Sequence, residues 1–196
     1  MFHNIPKPIQ DQMTALEEID GRDRQDGTPQ LKRLRQVPPE TGKFLALQAA
    51  NTPDGAWIEI GTSGGYSALW ISLAAKERGK KLVTFELLPE KAEIARKTFK
   101  KAKVEELIEL VNGDARGHIS DYEKIAFCFL DAEKEMYKEF YDLVIPRLVP
   151  GGILIADNAI NSGERMQEML DQAAADEQVD SMIAAVGKGV LLARKI

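Results

Sequence analysis

One cysteine, Cys128, stands in the whole chain, so no intrachain disulfide can form and a reducing compartment is the expected home. No apolar run approaches the roughly 18 residues needed to span a bilayer. The opening stretch, Met1-Phe2-His3-Asn4-Ile5-Pro6-Lys7-Pro8, lacks the apolar centre of a secretory signal. Positive charge is not in excess either: 26 Lys and Arg face 31 Asp and Glu, for a net charge of −5 and a pI near 5.2. A protein built to grip phosphate backbones usually carries the opposite sign, which counts against nucleic acid as a partner. The two histidines, His3 and His118, have no partners in the pattern, so a hydrolase triad is unsupported. Repeats and low-complexity tracts are missing as well. What remains is a soluble, cytoplasmic chain of 196 residues, 44% apolar and 29% charged, enough for one globular domain with no membrane partner.

Two regions differ in texture. Before residue 53, Gly21, Gly27, Pro29 and Pro38-Pro39 break the chain into pieces. Between the breaks, Ile9, Met13, Leu16 and Ile19 recur at helical spacing, and Phe44, Leu45, Leu47 and Ala50 predict a second helix. Residues 1–52 read as a helical preface to a core over 53–196, both within one domain. In the core, short apolar runs alternate with longer amphipathic ones. Trp57–Ile60, Leu82–Glu86, Leu107–Val111, Ile125–Leu130 and Gly152–Ala156 read as strands; Tyr66–Arg78, Pro89–Lys101, Lys134–Leu148 and Glu164–Ala175 read as helices. Runs without polar alternation are buried on both faces, as parallel strands are. Val179–Val186 and Val190–Arg194, joined by Gly187-Lys188-Gly189, read as an antiparallel hairpin. The prediction is an α/β fold with a doubly wound, mostly parallel sheet.

Ligands in such sheets bind beyond the carboxyl ends of the strands. Those ends deliver Glu59 with Gly61-Thr62-Ser63-Gly64-Gly65-Tyr66-Ser67, then Glu86, Gly113-Asp114-Ala115, Asp131, and Asp157-Asn158. Acids gathered on one edge mark a site. The glycine loop lets the backbone approach a ligand closely, or it merely closes a tight turn. Ser63 replaces the middle glycine of a dinucleotide loop, and Glu59 beside it disfavours pyrophosphate while suiting an ammonium or sulfonium group. Glu86 is placed for both hydroxyls of a ribose. A nucleoside without phosphates and with a cationic amino-acid tail is S-adenosylmethionine.

Asp131, Asp157 and Asn158 offer only oxygen donors, which suit a hard cation such as Mg²⁺, Ca²⁺ or Mn²⁺ rather than zinc. Neighbours in a regular strand point to opposite faces, so Asp157 and Asn158 converge only if the strand ends at Ala156 and the chain turns there. Their alternative role is to cap the next helix. Lys134, three residues after Asp131, can reach the site, and a nearby cation would lower its pKa towards that of a base. Cys128 between Phe127 and Phe129 reads as core, and the basic run Lys91, Arg96, Lys97, Lys100, Lys101, Lys103 as the solvated face of a helix.

These motifs together, Glu59–Ser67, Glu86, Gly113-Asp114-Ala115, Leu130–Lys134 and Ala156-Asp157-Asn158, resemble the cation-dependent O-methyltransferases, relatives of catechol and caffeoyl-CoA O-methyltransferases. The resemblance runs from about Pro38 to the Gly187-Lys188-Gly189 hairpin. It implies a class I methyltransferase fold with seven strands, the last antiparallel. It also implies that Glu59, Gly61, Thr62, Ser67, Glu86, Asp114, Ala115 and Asp131 line the pocket for S-adenosylmethionine or S-adenosylhomocysteine, covered by Val37. Asp131, Asp157 and Asn158 would hold the metal, and Lys134 would be the base. Relatives are often homodimers. Aromatic residues that many members carry beside the metal are replaced here by Glu133 and Ala159-Ile160-Asn161-Ser162. The expected reaction is metal-assisted methyl transfer to a hydroxyl of a small, diol-like molecule. Its rivals are a methyltransferase acting on RNA or another macromolecule, and a non-catalytic S-adenosylmethionine-binding protein.

Overall fold

The computed structural model describes residues 1–196, and seven strands form one sheet in the order β3-β2-β1-β4-β5-β7-β6. The strands are β1 (Ala56–Ile60), β2 (Leu82–Glu86), β3 (Ile108–Asn112), β4 (Ile125–Leu130), β5 (Leu148–Asp157), β6 (Val179–Ala184) and β7 (Val190–Lys195). The first five run parallel, and β7 lies antiparallel between β5 and β6. The chain order reverses between β1 and β4, which opens a crevice at their carboxyl ends. All six residues of β4 are buried, so its unbroken apolar run has the cause assigned to it from sequence.

Six helices cover the sheet: α1 (Lys7–Asp23), α2 (Pro39–Ala50), α3 (Tyr66–Arg78), α4 (Pro89–Ala102), α5 (Tyr137–Val144) and α6 (Gly163–Ala175). Pro39 and Pro89 each start a helix where a missing N–H costs nothing. The preface is part of the core. Ile9, Met13 and Leu16 of α1 and Leu45, Ala46 and Ala49 of α2 share one apolar cluster with Trp57, Tyr66, Leu69 and Phe127. The opposite face packs α5 and α6 on Ile58, Cys128, Leu130 and Leu154.

Two boundaries depart from expectation, and two short 3-10 turns, Ala115–Gly117 and Ile119–Asp121, lie between β3 and β4. The helix predicted over Lys134–Leu148 is one turn of 3-10 helix (Lys134–Met136), then α5, then a second 3-10 turn at Ile145–Arg147. Pro146 has no N–H to continue α5, and Leu148 already pairs with Ile125. Finally, β5 continues through Asp157 instead of ending at Ala156, because Asp157 pairs with Val190 of β7.

Candidate active site

A cavity of about 550 Å³ opens at the carboxyl ends of β1, β2, β3 and β4, under the loop that joins α1 to α2. Its size is that of a pocket for a drug-sized ligand. Of the residues predicted to form the site, Val37, Gly61, Thr62, Ser67, Glu86, Asp114, Ala115, Asp131, Lys134 and Asn158 all stand on its wall.

The turn after β1 is set by close backbone approach. Gly61 has φ +103, and a Cβ there would run into the carbonyl of Asp131. Its N–H and that of Thr62 both donate to Phe85 O, at 3.0 and 3.1 Å. Ser63, in the place of a dinucleotide loop's middle glycine, takes φ +49, a region most side chains avoid. Its Oγ donates to Leu34 O (2.6 Å), tying the loop to the preface, and its N–H donates to Glu86 Oε2 (2.7 Å). Leu88 N–H donates to Glu86 Oε1 (2.9 Å). Each carboxylate oxygen of Glu86 therefore has one backbone donor and keeps lone pairs for a ligand.

Glu59 requires correction. It is fully buried behind the loop and not on the cavity wall. Its oxygens accept from Ser67 Oγ (2.5 Å) and Thr84 Oγ1 (2.6 Å), and Thr84 Oγ1 in turn accepts from Thr62 Oγ1 (2.5 Å). Burial pushes its carboxyl up to about 7, against the two hydroxyl hydrogen bonds and helped by the charges of Asp131 and Glu86. Glu59 is linked to the cavity wall only through Ser67 and, by way of Thr84, through Thr62. Asp114 is on the wall, but Arg116 grips both of its oxygens and holds its carboxyl below the usual carboxylate range.

At the other end, the reversal that brings Asp157 and Asn158 together lies at Asn158 itself, which adopts φ +69. Ala159 N–H then bonds Gly189 O (2.9 Å), pinning the turn to the hairpin tip. Asn158 Nδ2 donates to Asp157 Oδ2 at 2.7 Å and lies 3.4 Å from Asp131 Oδ1. The three side chains thus meet. Asp157 is fully buried, and its Oδ1 has no hydrogen-bond partner. Burial and the charge of Asp131 push the Asp157 carboxyl upward. No cluster of three His, Cys, Asp or Glu side chains exists in the chain; here two carboxylates meet an amide. An orphaned buried oxygen beside a second carboxylate fits a hard cation, and a half-turn of the Asn158 amide would present its oxygen as the third donor.

Lys134 does reach the site, and its side chain is only 11% exposed. Its ammonium donates to Asp131 Oδ1 (3.0 Å), Ala132 O (3.2 Å) and Tyr137 Oη (2.5 Å). Tyr137, fully buried on the first turn of α5, was missed from sequence, where nothing distinguishes it from a core aromatic. Lys91 was misread. It lies on the buried face of α4 and lines the cavity, while Lys97, Lys100 and Lys101 face solvent as expected. Arg35 and Glu133, also missed, close an ion pair of 2.5 Å across the cavity mouth. His118 stacks on Phe85, and Cys128 is sealed in the core with its thiol pushed up by burial.

Residues 11–196 match the family model described as "O-methyltransferase". A catechol O-methyltransferase of Mycobacterium tuberculosis is 33% identical over 140 residues, covering 70% of this chain and 63% of that protein. The match thus spans somewhat less than two thirds of that relative, and the same holds for a catechol O-methyltransferase of Niastella koreensis, at 62%. A flavonoid 3′,5′-methyltransferase of Vitis vinifera is 26% identical over 85% of this chain and 87% of its own. Among solved structures, an O-methyltransferase from Bacillus cereus in complex with S-adenosylhomocysteine superposes with a TM-score of 0.77 at 26% identity, covering 93% of this chain and 91% of that one.

Proposed function

Because the chain belongs to the O-methyltransferase family, we propose that it transfers a methyl group from S-adenosylmethionine to a hydroxyl oxygen of a small diol, with help from a divalent cation. The observation that carries this reading is one cavity holding Glu86 with its free lone pairs at one end and the Asp131, Asn158 and Lys134 side chains at the other. A nucleoside donor and a hydroxylated acceptor would lie side by side there. The B. cereus structure with S-adenosylhomocysteine and the catechol and flavonoid names of the relatives support the same pairing.

When bound, S-adenosylmethionine supplies the electrophilic methyl, and a cation held by Asp131, Asp157 and Asn158 would supply Lewis-acid stabilisation to vicinal acceptor oxygens. The chain's own residues do the rest. Glu86 accepts the ribose hydroxyl protons and sets how far the nucleoside enters. The glycine loop lets the donor lie against backbone at Gly61 and Thr62. Lys134 Nζ, once deprotonated, accepts the proton of the acceptor hydroxyl. Tyr137 and Asp131 hold that nitrogen in place through the contacts at 2.5 and 3.0 Å. Leu34 and Val37, both buried, close the preface loop over the cleft and exclude water. Catalysis then rests on positioning and on stabilising the oxygen anion.

The direct test is a methyl-transfer screen of ortho-diols against mono-hydroxyl analogues, with Mg²⁺ and with chelator. Transfer to the diols alone, dependent on cation, is expected. Equal transfer in chelator would remove the metal from the mechanism, and no transfer to any hydroxyl would remove the reaction.

A further inference from the structure

Lys91 is 4% exposed, stands on the cavity wall, and its ammonium has neither a hydrogen-bond partner nor an ion-pair partner. Lysines this buried are almost always paired; here the stem is enclosed and the ammonium reaches open space only in the cavity. The acids around it are already engaged. Glu86 accepts from Ser63 and Leu88 N–H, Glu133 from Arg35, and Asp131 from Lys134. Burial, and then the charge of Arg35, hold the Lys91 ammonium below its usual range, as expected of a cation that lacks a partner. Three N–H donors thus face the cavity with nothing to receive them.

Lys91 follows β2, the strand that delivers Glu86, and the turn between them folds the start of α4 back over the strand end through Leu88 N–H. Its neighbour in the cleft is therefore the ribose end of the ligand rather than the amino-acid tail over the β1 loop. A ribose hydroxyl both donates and accepts. Glu86, acceptor only, can take its proton, which leaves the hydroxyl oxygen in need of a donor. We propose that Lys91 is a second ribose-binding residue, donating from Nζ to a hydroxyl oxygen whose proton goes to Glu86. The pair reads the hydroxyl from both sides and so selects a ribonucleoside over a deoxyribonucleoside. This assignment rests on Glu86 being the ribose acceptor.

The test is calorimetric titration of wild type, Lys91→Met and Glu86→Ala with S-adenosylhomocysteine, 5′-methylthioadenosine and the 2′,3′-dideoxy form of the latter. Lys91→Met is expected to weaken the first two alike, by roughly tenfold or more, as for hydrogen bonds to a charged group, and to leave the third unchanged. The ligand-free variant should melt at or above the wild-type temperature, since an unpaired buried charge has been removed. Wild-type affinity for S-adenosylhomocysteine overturns the proposal. So does a loss confined to that ligand, which would assign Lys91 to the tail carboxylate, and so does an equal loss for the dideoxy compound. A lower melting temperature would show a partner within the protein and overturn it too. Wild-type affinity in Glu86→Ala would instead sink the ribose role of Glu86, whatever Lys91 does.

Discussion

The two ends of the cavity are built to different degrees of completion. At the end formed by the tips of β1 and β2, Glu86 is held by two backbone N–H groups, and Thr62, Thr84, Glu59 and Ser67 form a continuous run of hydrogen bonds beneath the loop. At the hydroxyl end, Asp157 Oδ1 is buried without a partner, two carboxylates crowd one another, and the Lys134 ammonium leans on Asp131. Beneath the β1 loop the chain satisfies its own polar groups, and Lys91 is the exception on that part of the wall. At the other end the chain leaves a buried carboxylate oxygen that none of its groups satisfies. A buried polar group costs free energy until it is paired, so the second end is the one that responds to what binds.

Substitutions that widen or erase this contrast should differ in size. The largest effect belongs to Asp157→Ala. It removes the orphaned oxygen, so turnover should vanish at any Mg²⁺ concentration that restores chelator-treated wild type, while S-adenosylhomocysteine affinity measured by calorimetry stays within about threefold. Retained turnover would show that the hydroxyl end works without Asp157. Next, Lys134→Met should lower turnover by roughly 10²–10⁴-fold, the range for a lost general base, with cofactor affinity kept. Raising the assay pH until the acceptor ionises unaided should recover most of that loss. If it does not, Lys134 acts by charge and not by accepting a proton.

The ribose end should answer through stability and binding. Folding lifts the Glu59 carboxyl from its ordinary 4.5 to about 7, so the folded chain holds that proton more tightly than the unfolded one. Its contribution is fully present below pH 4.5 and is lost as pH rises through 7, by roughly 3 kcal/mol at most. Urea unfolding across that window should show the decline in wild type and a flatter profile in Glu59→Gln; parallel profiles would refute the assignment. The smallest effect is expected of Glu86→Ala, which should weaken S-adenosylhomocysteine binding by roughly 1.5–3 kcal/mol. Unchanged binding would remove Glu86 from the ribose contact proposed above.

Much of this protein was legible along the chain because the signals are local. Apolar runs such as Ile125–Leu130 announce buried parallel strands, and α3 begins and ends at Tyr66 and Arg78 as its pattern implies. Acids at strand ends announce the edge where a ligand sits, since a parallel sheet aligns those ends. Glu86 and Asp131 were found this way, Lys134 and Asn158 by their closeness in sequence to Asp131 and Asp157, and all four stand on one cavity.

What only the tertiary structure decided concerns direction and partnership across the chain. Whether Asp157 and Asn158 converge depends on β7, which extends β5 by one residue and leaves the reversal to Asn158 at φ +69. The placement of Glu59 behind the wall depends on Thr84, 25 positions away, and on the helix that carries Ser67. Lys91 looks like its exposed neighbours on α4 because helical charge runs are usually solvated, and only the packing of α4 in the folded chain buries it. The Arg35–Glu133 pair joins residues 98 positions apart. Periodicity reports which face of an element is apolar, because that depends on near neighbours alone. Which polar group faces which is set by how distant elements pack, and no local pattern records it.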